Sequence, residues 1–174
     1  MSNILTLSIS ELVSKLKSGD ISSVELCSAY IDRYDKFEKD VKAWAHFDKK
    51  LLIEKATEAD ENRKAGKPLG QLHGLPIGVK DIFGTLDMPT ECGTVIRKKM
   101  TGSQDAEVVN LLKISGAITM GKTTTTELAY FHPSKTTNPN DYSRTPGGSS
   151  SGSAAAVASY LSLIHISEPT RLTS

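Results

Sequence analysis

Aromatic residues make up only 6% of this 174-residue chain, cysteine occurs twice, and neither sign of charge prevails. With 21 Lys and Arg against 20 Asp and Glu, there is no basic footprint for nucleic acid and no polybasic face for a membrane surface. No apolar run approaches the ~20 residues that cross a bilayer. The stretch from Met1 through Ile4, Leu5 and Leu7 is too short and too uncharged for a signal peptide. Cys27 and Cys92 stand apart without metal-ligand spacing, and two lone thiols suit a reducing compartment. These absences lead us to expect a cytoplasmic protein with no metal, no cofactor, no nucleic-acid partner and no membrane. At this length the chain is one domain or a piece of a larger one.

What is present reads as alternating helices and strands. Ser8 with Glu11, and Ser22 with Glu25, have capping-box spacing. Leu12, Val13 and Leu16 give the first helix an apolar face, and Val24, Cys27, Ile31 and Tyr34 give one to the second. Val41, Ala43, Ala45 and Phe47 alternate with Lys42, Trp44 and His46, a strand period. Asp48 is placed to cap a helix that Gly66 and Pro68 end, and Asp105 to cap another with Val108, Leu111, Leu112 and Ile114 inward. Ala117-Ile118-Thr119-Met120 then reads as a short strand. His46 and His73 have no partner at ligand spacing and are assigned structural roles. Helix, glycine, strand is the rhythm of an α/β fold.

Two stretches break this pattern. In Ile77-Gly78-Val79-Lys80-Asp81-Ile82 a lysine interrupts a β-branched, apolar run. It is either a buried functional lysine or a surface strand end with Lys80 paired to a carboxylate such as Asp81. Farther on, Thr145-Pro146 leads into Gly147-Gly148-Ser149-Ser150-Ser151-Gly152-Ser153 and then Ala154-Ala155-Ala156. Glycines open backbone angles closed to other residues, and the alanines favour a helix whose N-terminus gathers unpaired N–H donors. On spacing alone the stretch is a functional loop, a linker or a helix cap.

Thr145 to Ala158 closely resembles the signature of the amidase signature family of serine hydrolases. Leu72-His73-Gly74-Leu75-Pro76-Ile77-Gly78-Val79-Lys80-Asp81-Ile82 resembles the strand that carries that family's catalytic lysine. The resemblance runs from about Ser8 to about Tyr160. It implies a mixed sheet flanked by helices, of which residues 1–160 are the N-terminal part. It implies an amidase that hydrolyses a small-molecule amide to an acid and ammonia or an amine, and it is compatible with a homodimer. Lys80 matches the general base and acid. Ser149 matches the serine that relays the proton and sits at a cis peptide bond. Gly147, Gly148, Ser150, Ser151, Gly152 and Ser153 match loop-structuring positions, and Tyr130, Phe131 and His132 border the substrate pocket. A lysine's ordinary pKa of about 10.4 leaves only about one in 2,500 neutral at pH 7, and apolar burial lowers it. Ile77, Val79 and Ile82 would supply that burial.

The family's acylated serine and its oxyanion donors lie downstream of the signature. From Leu161 this chain instead resembles the translation of a sequencing adapter, so residues 161–174 are expected to be a non-native tail and the chain inactive as it stands. The other reading of the tail is a native strand with Leu161, Leu163 and Ile166 apolar. Within the family, the A subunit of the glutamyl-tRNA(Gln) amidotransferase is the alternative. Its Asp-Glu-Phe-Ala-Met-Gly-type segment is replaced by Thr126-Glu127-Leu128-Ala129-Tyr130-Phe131, which favours a free-standing amidase. A thiol amidase using Cys92 with Lys80 is a further variant. Gly116-Ala117-Ile118-Thr119-Met120-Gly121-Lys122-Thr123 matches the P-loop pattern, but a P-loop needs its strand before the first glycine. Here a helical pattern precedes Gly116, which argues against a nucleotide-binding module.

Overall fold

The computed structural model describes residues 4–167. Helices α1 (Ile9–Ser18) and α2 (Ser23–Val41) both begin with complete capping boxes, Ser8 with Glu11 and Ser22 with Glu25. Gly19 ends α1 in the left-handed conformation, where its N–H reaches Lys15 O. Strand β1 (Trp44–His46) is shorter than the alternation suggested. Asp48 caps α3 (Lys49–Lys64) by accepting the Leu51 N–H. Then come β2 (Pro76–Lys80), α4 (Glu107–Ile114), β3 (Ile118–Thr123), α5 (Ser151–Ala158) and β4 (His165–Ile166).

The four strands form one mixed sheet in the order β1-β3-β2-β4. β3 is antiparallel to β1 and parallel to β2, and β4 is parallel to β2 on its other side. Every residue of β2 and β3 is buried, so both faces of the sheet centre are covered, as the apolar run in β2 implied. The main core joins Leu12, Leu16, Leu26, Tyr30, Trp44 and Leu52 to Ile118 and Met120 of β3 and to Ala155 and Ala156 of α5.

Three sequence expectations shift. On α2, Leu26, Cys27 and Tyr30 are the most buried line, while Val24, Ile31 and Tyr34 flank it. On α4 the buried apolar residue is Val109, and Val108, Leu111 and Ile114 face outward. Both helices carry two adjacent apolar lines, and only the neighbouring elements decide which turns inward. Nor does Asp105 cap α4: the N-cap is Ala106, without a side-chain bond. The Asp105 carboxylate is taken by the Leu86 N–H and the Lys113 ammonium.

The segment after Tyr160 lies against the sheet as far as it is described. Leu161 is fully buried, Gly78 N–H donates to Ile164 O at 3.0 Å, and β4 pairs Gly78 with His165 and Val79 with Ile166. The remainder of the expected non-native tail, 168–174, lies outside the described residues.

Candidate active site

Lys80 is the last residue of β2, and its partner in register is Thr123, the last of β3. It is 0% exposed, a costly place for an ammonium. Its Nζ donates to Ser149 Oγ at 2.7 Å, across 69 residues of sequence. The sheet therefore joins the two stretches that stood out in the sequence. Asp81, the next residue, is engaged by a second lysine. It turns to Lys122 at 3.4 Å and accepts the Glu91 N–H at 3.1 Å.

The serine loop is held from below by the residues that follow β3. Ser149 O accepts the Thr126 N–H at 3.0 Å and the Thr125 hydroxyl at 3.1 Å. The Gly148–Ser149 peptide is cis. Gly148 lies so close to Thr126 that a Cβ there would meet the threonine Cγ2 at 2.6 Å, while Gly147 takes φ +89° in open space. Ser150 is the N-cap of α5, which opens at Ser151, three residues before the alanine run. Gly152 N–H donates to Thr124 O at 2.8 Å, and the Ser153 and Thr123 hydroxyls lie 2.7 Å apart. Ser151 is buried with its hydroxyl unpartnered among the described residues. The loop is thus a built structure bonded to β3 and its extension, and the linker reading fails.

The P-loop match has a different content. β3 runs through it, and Lys122 is fully buried with its Nζ donating to Phe83 O (2.9 Å), Pro89 O (3.1 Å) and Thr90 Oγ1 (2.7 Å). Thr85 Oγ1 at 3.4 Å and Asp81 Oδ1 complete the set. An ammonium engaged by five oxygens inside the protein does not reach a phosphate. Burial lowers the Lys122 pKa and raises that of Asp81, and the attraction between them opposes both shifts. Sequence reasoning missed this pair; the available signal was a second lysine inside a strand pattern, followed by four consecutive threonines.

Burial also raises the Cys92 thiol, and among the charges around it are Arg97, Asp81 and Lys122. A nucleophilic cysteine needs the opposite shift. Beside the site lies a cleft of about 440 Å³, lined by Asp81, Thr94, Thr124, Thr125 and His132. Thr125 links it to the Ser149 carbonyl. His132 therefore borders it, whereas Tyr130 and Phe131 are 72% and 86% exposed and stack edge to face on each other. A second cavity of about 370 Å³, bordered by Lys55, His73, Lys113 and Thr119, lies toward the other end of β3. Among the described residues no cluster of three or more His, Cys, Asp or Glu could hold a metal ion. None of the described helices is long and apolar enough to cross a membrane.

A mixed sheet that delivers a buried lysine to a serine in a Gly/Ser loop defines an α/β protein with a lysine–serine site. The family model described as Amidase matches residues 25–168, and the chain belongs to that family, the amidase signature enzymes. Among curated relatives, the A subunit of the glutamyl-tRNA(Gln) amidotransferase of Salinispora tropica is 35% identical over 98% of this chain and 36% of its own length. That of Leptospira interrogans is 40% identical over 91% of this chain and 34% of its own. Among solved structures, the native peptide amidase from Stenotrophomonas maltophilia superposes with a TM-score of 0.84 at 29% identity, covering 92% of this chain and 35% of that one. A fatty acid amide hydrolase gives 0.85 at 28%, covering 93% and 30%. The chain spans about a third of the length of the relatives it matches.

Proposed function

We propose that this chain carries the proton-handling half of an amide-hydrolysing site, with Lys80 as base and then acid and Ser149 as relay. The observation that carries the reading is the 2.7 Å contact between a fully buried lysine and the loop serine. In the forward half-reaction the nucleophile's proton passes to Ser149 Oγ as the Ser149 hydroxyl proton passes to neutral Lys80. The nucleophile's oxygen bonds the amide carbon. When the C–N bond breaks, the proton returns from Lys80 through Ser149 to the leaving nitrogen, and water then hydrolyses the acyl-enzyme. The nucleophile and the oxyanion donors belong to a segment downstream of Ala158 in this reading. The boundary proposed near Tyr160, with a non-native segment after it, goes with the same reading and is tested by rereading the gene in freshly prepared DNA.

The test is ammonia release from simple carboxamides and from glutamine. The 174-residue chain should release none, while a chain carrying residues 1–160 and a downstream segment with a further serine should. In that longer chain Lys80→Ala and Ser149→Ala should each lower the rate by about 10²–10⁴-fold. A Lys80→Ala enzyme with undiminished rate would remove lysine from the mechanism. The A subunit of an amidotransferase is the second reading, favoured by the names of the curated relatives. Turnover of glutamine but not of simple amides supports it.

A further inference from the structure

The end of β3 and the residues that follow it carry three successive holds on the site. Lys122 and Thr123 project to opposite faces of the strand, as neighbours on a strand do. On one face Lys122 gathers the carbonyls of Phe83 and Pro89, the Thr90 hydroxyl and the Asp81 carboxylate. All four belong to the segment that leaves β2 directly after Lys80. On the other face Thr123 meets Ser153, in the helix that directly follows the serine loop. Thr125 and Thr126 then hold the Ser149 carbonyl itself. The backbone agrees, since Asp81 N–H donates to Thr123 O at 3.0 Å. Lys80 and Ser149 are thus fixed against a single stretch, 122–126. On the Lys80 side its only charged member is buried, fully paired, and occupied with the chain that leaves β2.

We propose that Lys122 is a positioning residue for the Lys80–Ser149 pair: by tying the 81–90 segment to β3 it fixes the end of β2 from which Lys80 reaches Ser149. The inference rests on the functional reading of that pair but concerns a residue that does not touch it. A four-carbon stem places the ammonium at the centre of the 81–90 segment, where three donated protons and the charge can satisfy several oxygens at once. Removing the ammonium takes a donor from Phe83 O and Pro89 O and leaves the buried Asp81 carboxylate without its counter-charge, a large penalty, so the segment must move when Lys122 is removed. Lys80 directly precedes it.

The experiment reads Lys80 itself in the chain as it exists, labelled with lysine carrying ¹³C at Cε, at one fixed pH. Its resonance is assigned by its disappearance in Lys80→Arg. In Lys122→Met the Lys80 resonance should move and broaden. In Lys49→Met, which removes an ion pair to Asp35 outside the 81–90 segment, it should stay in place. If Lys122→Met does not fold, Thr90→Val removes one acceptor of the ammonium without stranding a charge, and it should produce a smaller shift in the same resonance. A folded Lys122→Met, or a folded Thr90→Val standing in for it, with the Lys80 resonance unmoved overturns the proposal. So does an equal shift in Lys49→Met. Ser149→Ala separates the two ideas: an unmoved Lys80 resonance there undermines the lysine–serine reading, whatever Lys122→Met has done.

Discussion

Gly152→Ala sets local propensity against tertiary contact. Gly152 is the second residue of α5, and in an exposed helix its replacement by alanine would stabilise by about 1 kcal/mol. Here a Cβ would stand 2.2 Å from Ala43 O, 2.4 Å from Thr124 N and 2.9 Å from Thr124 O. All three are backbone atoms of β1's approach and β3's extension, so no side chain can swing aside. Ordinary contact begins near 3.4 Å, which requires α5 to retreat by about 1.2 Å. The Gly152 N–H bond to Thr124 O, now 2.8 Å, would then stretch to about 4 Å and be lost. Overpacking costs about 1–3 kcal/mol and the bond about 1 kcal/mol, against the propensity gain of about 1 kcal/mol. A net loss of about 1–3 kcal/mol lowers the melting temperature by about 2–12 °C for a chain of this size. Thermal unfolding followed by circular dichroism measures it, and the Lys80 resonance reports whether Ser149 moved with the helix. A variant that melts at or above the parent temperature would refute the reasoning, because propensity alone would then have decided the outcome.

Asp60 is buried on α3 and accepts the Ser23 N–H at 2.8 Å and the Val24 N–H at 3.1 Å, both in the first turn of α2. Asp60→Ala strands two donors and should cost about 3 kcal/mol, seen as a lower urea midpoint at unchanged slope. Glu25 is held below the ordinary glutamate range by the Ser22 backbone N–H and then by the Ser22 hydroxyl. A depressed folded value means its contribution is present above the unfolded pKa and disappears as pH falls through the folded one. A carboxyl ¹³C titration should place Glu25 below a free glutamate, and Ser22→Ala should move it part of the way back.

Interactions that close within four residues were legible from the sequence alone. Both capping boxes, the Asp48 cap and the glycine that ends α1 follow from spacing, because the partners share one turn of helix. The apolar run of β2 and the Gly/Ser stretch before α5 also announced themselves, since a lysine in such a run and seven small residues before alanines are locally unusual. The inward face of α4 was beyond sequence reasoning, because two apolar lines compete and only packing chooses Val109 over Leu111. Charge pairing was equally hidden. Asp81 is adjacent to Lys80 in sequence, yet it lies just past the end of β2, and its carboxylate meets Lys122 on the neighbouring strand, 41 positions on. A pattern that spelled a phosphate loop became a strand, because helix α4 before Gly116 and β2 beside Ile118 left it no other place. The chain's order thus set the elements and supplied the lysine and the serine. Strand register, which only the folded sheet fixes, set Lys80 beside Thr123, and the loop bonded to β3's extension brought Ser149 to 2.7 Å from it.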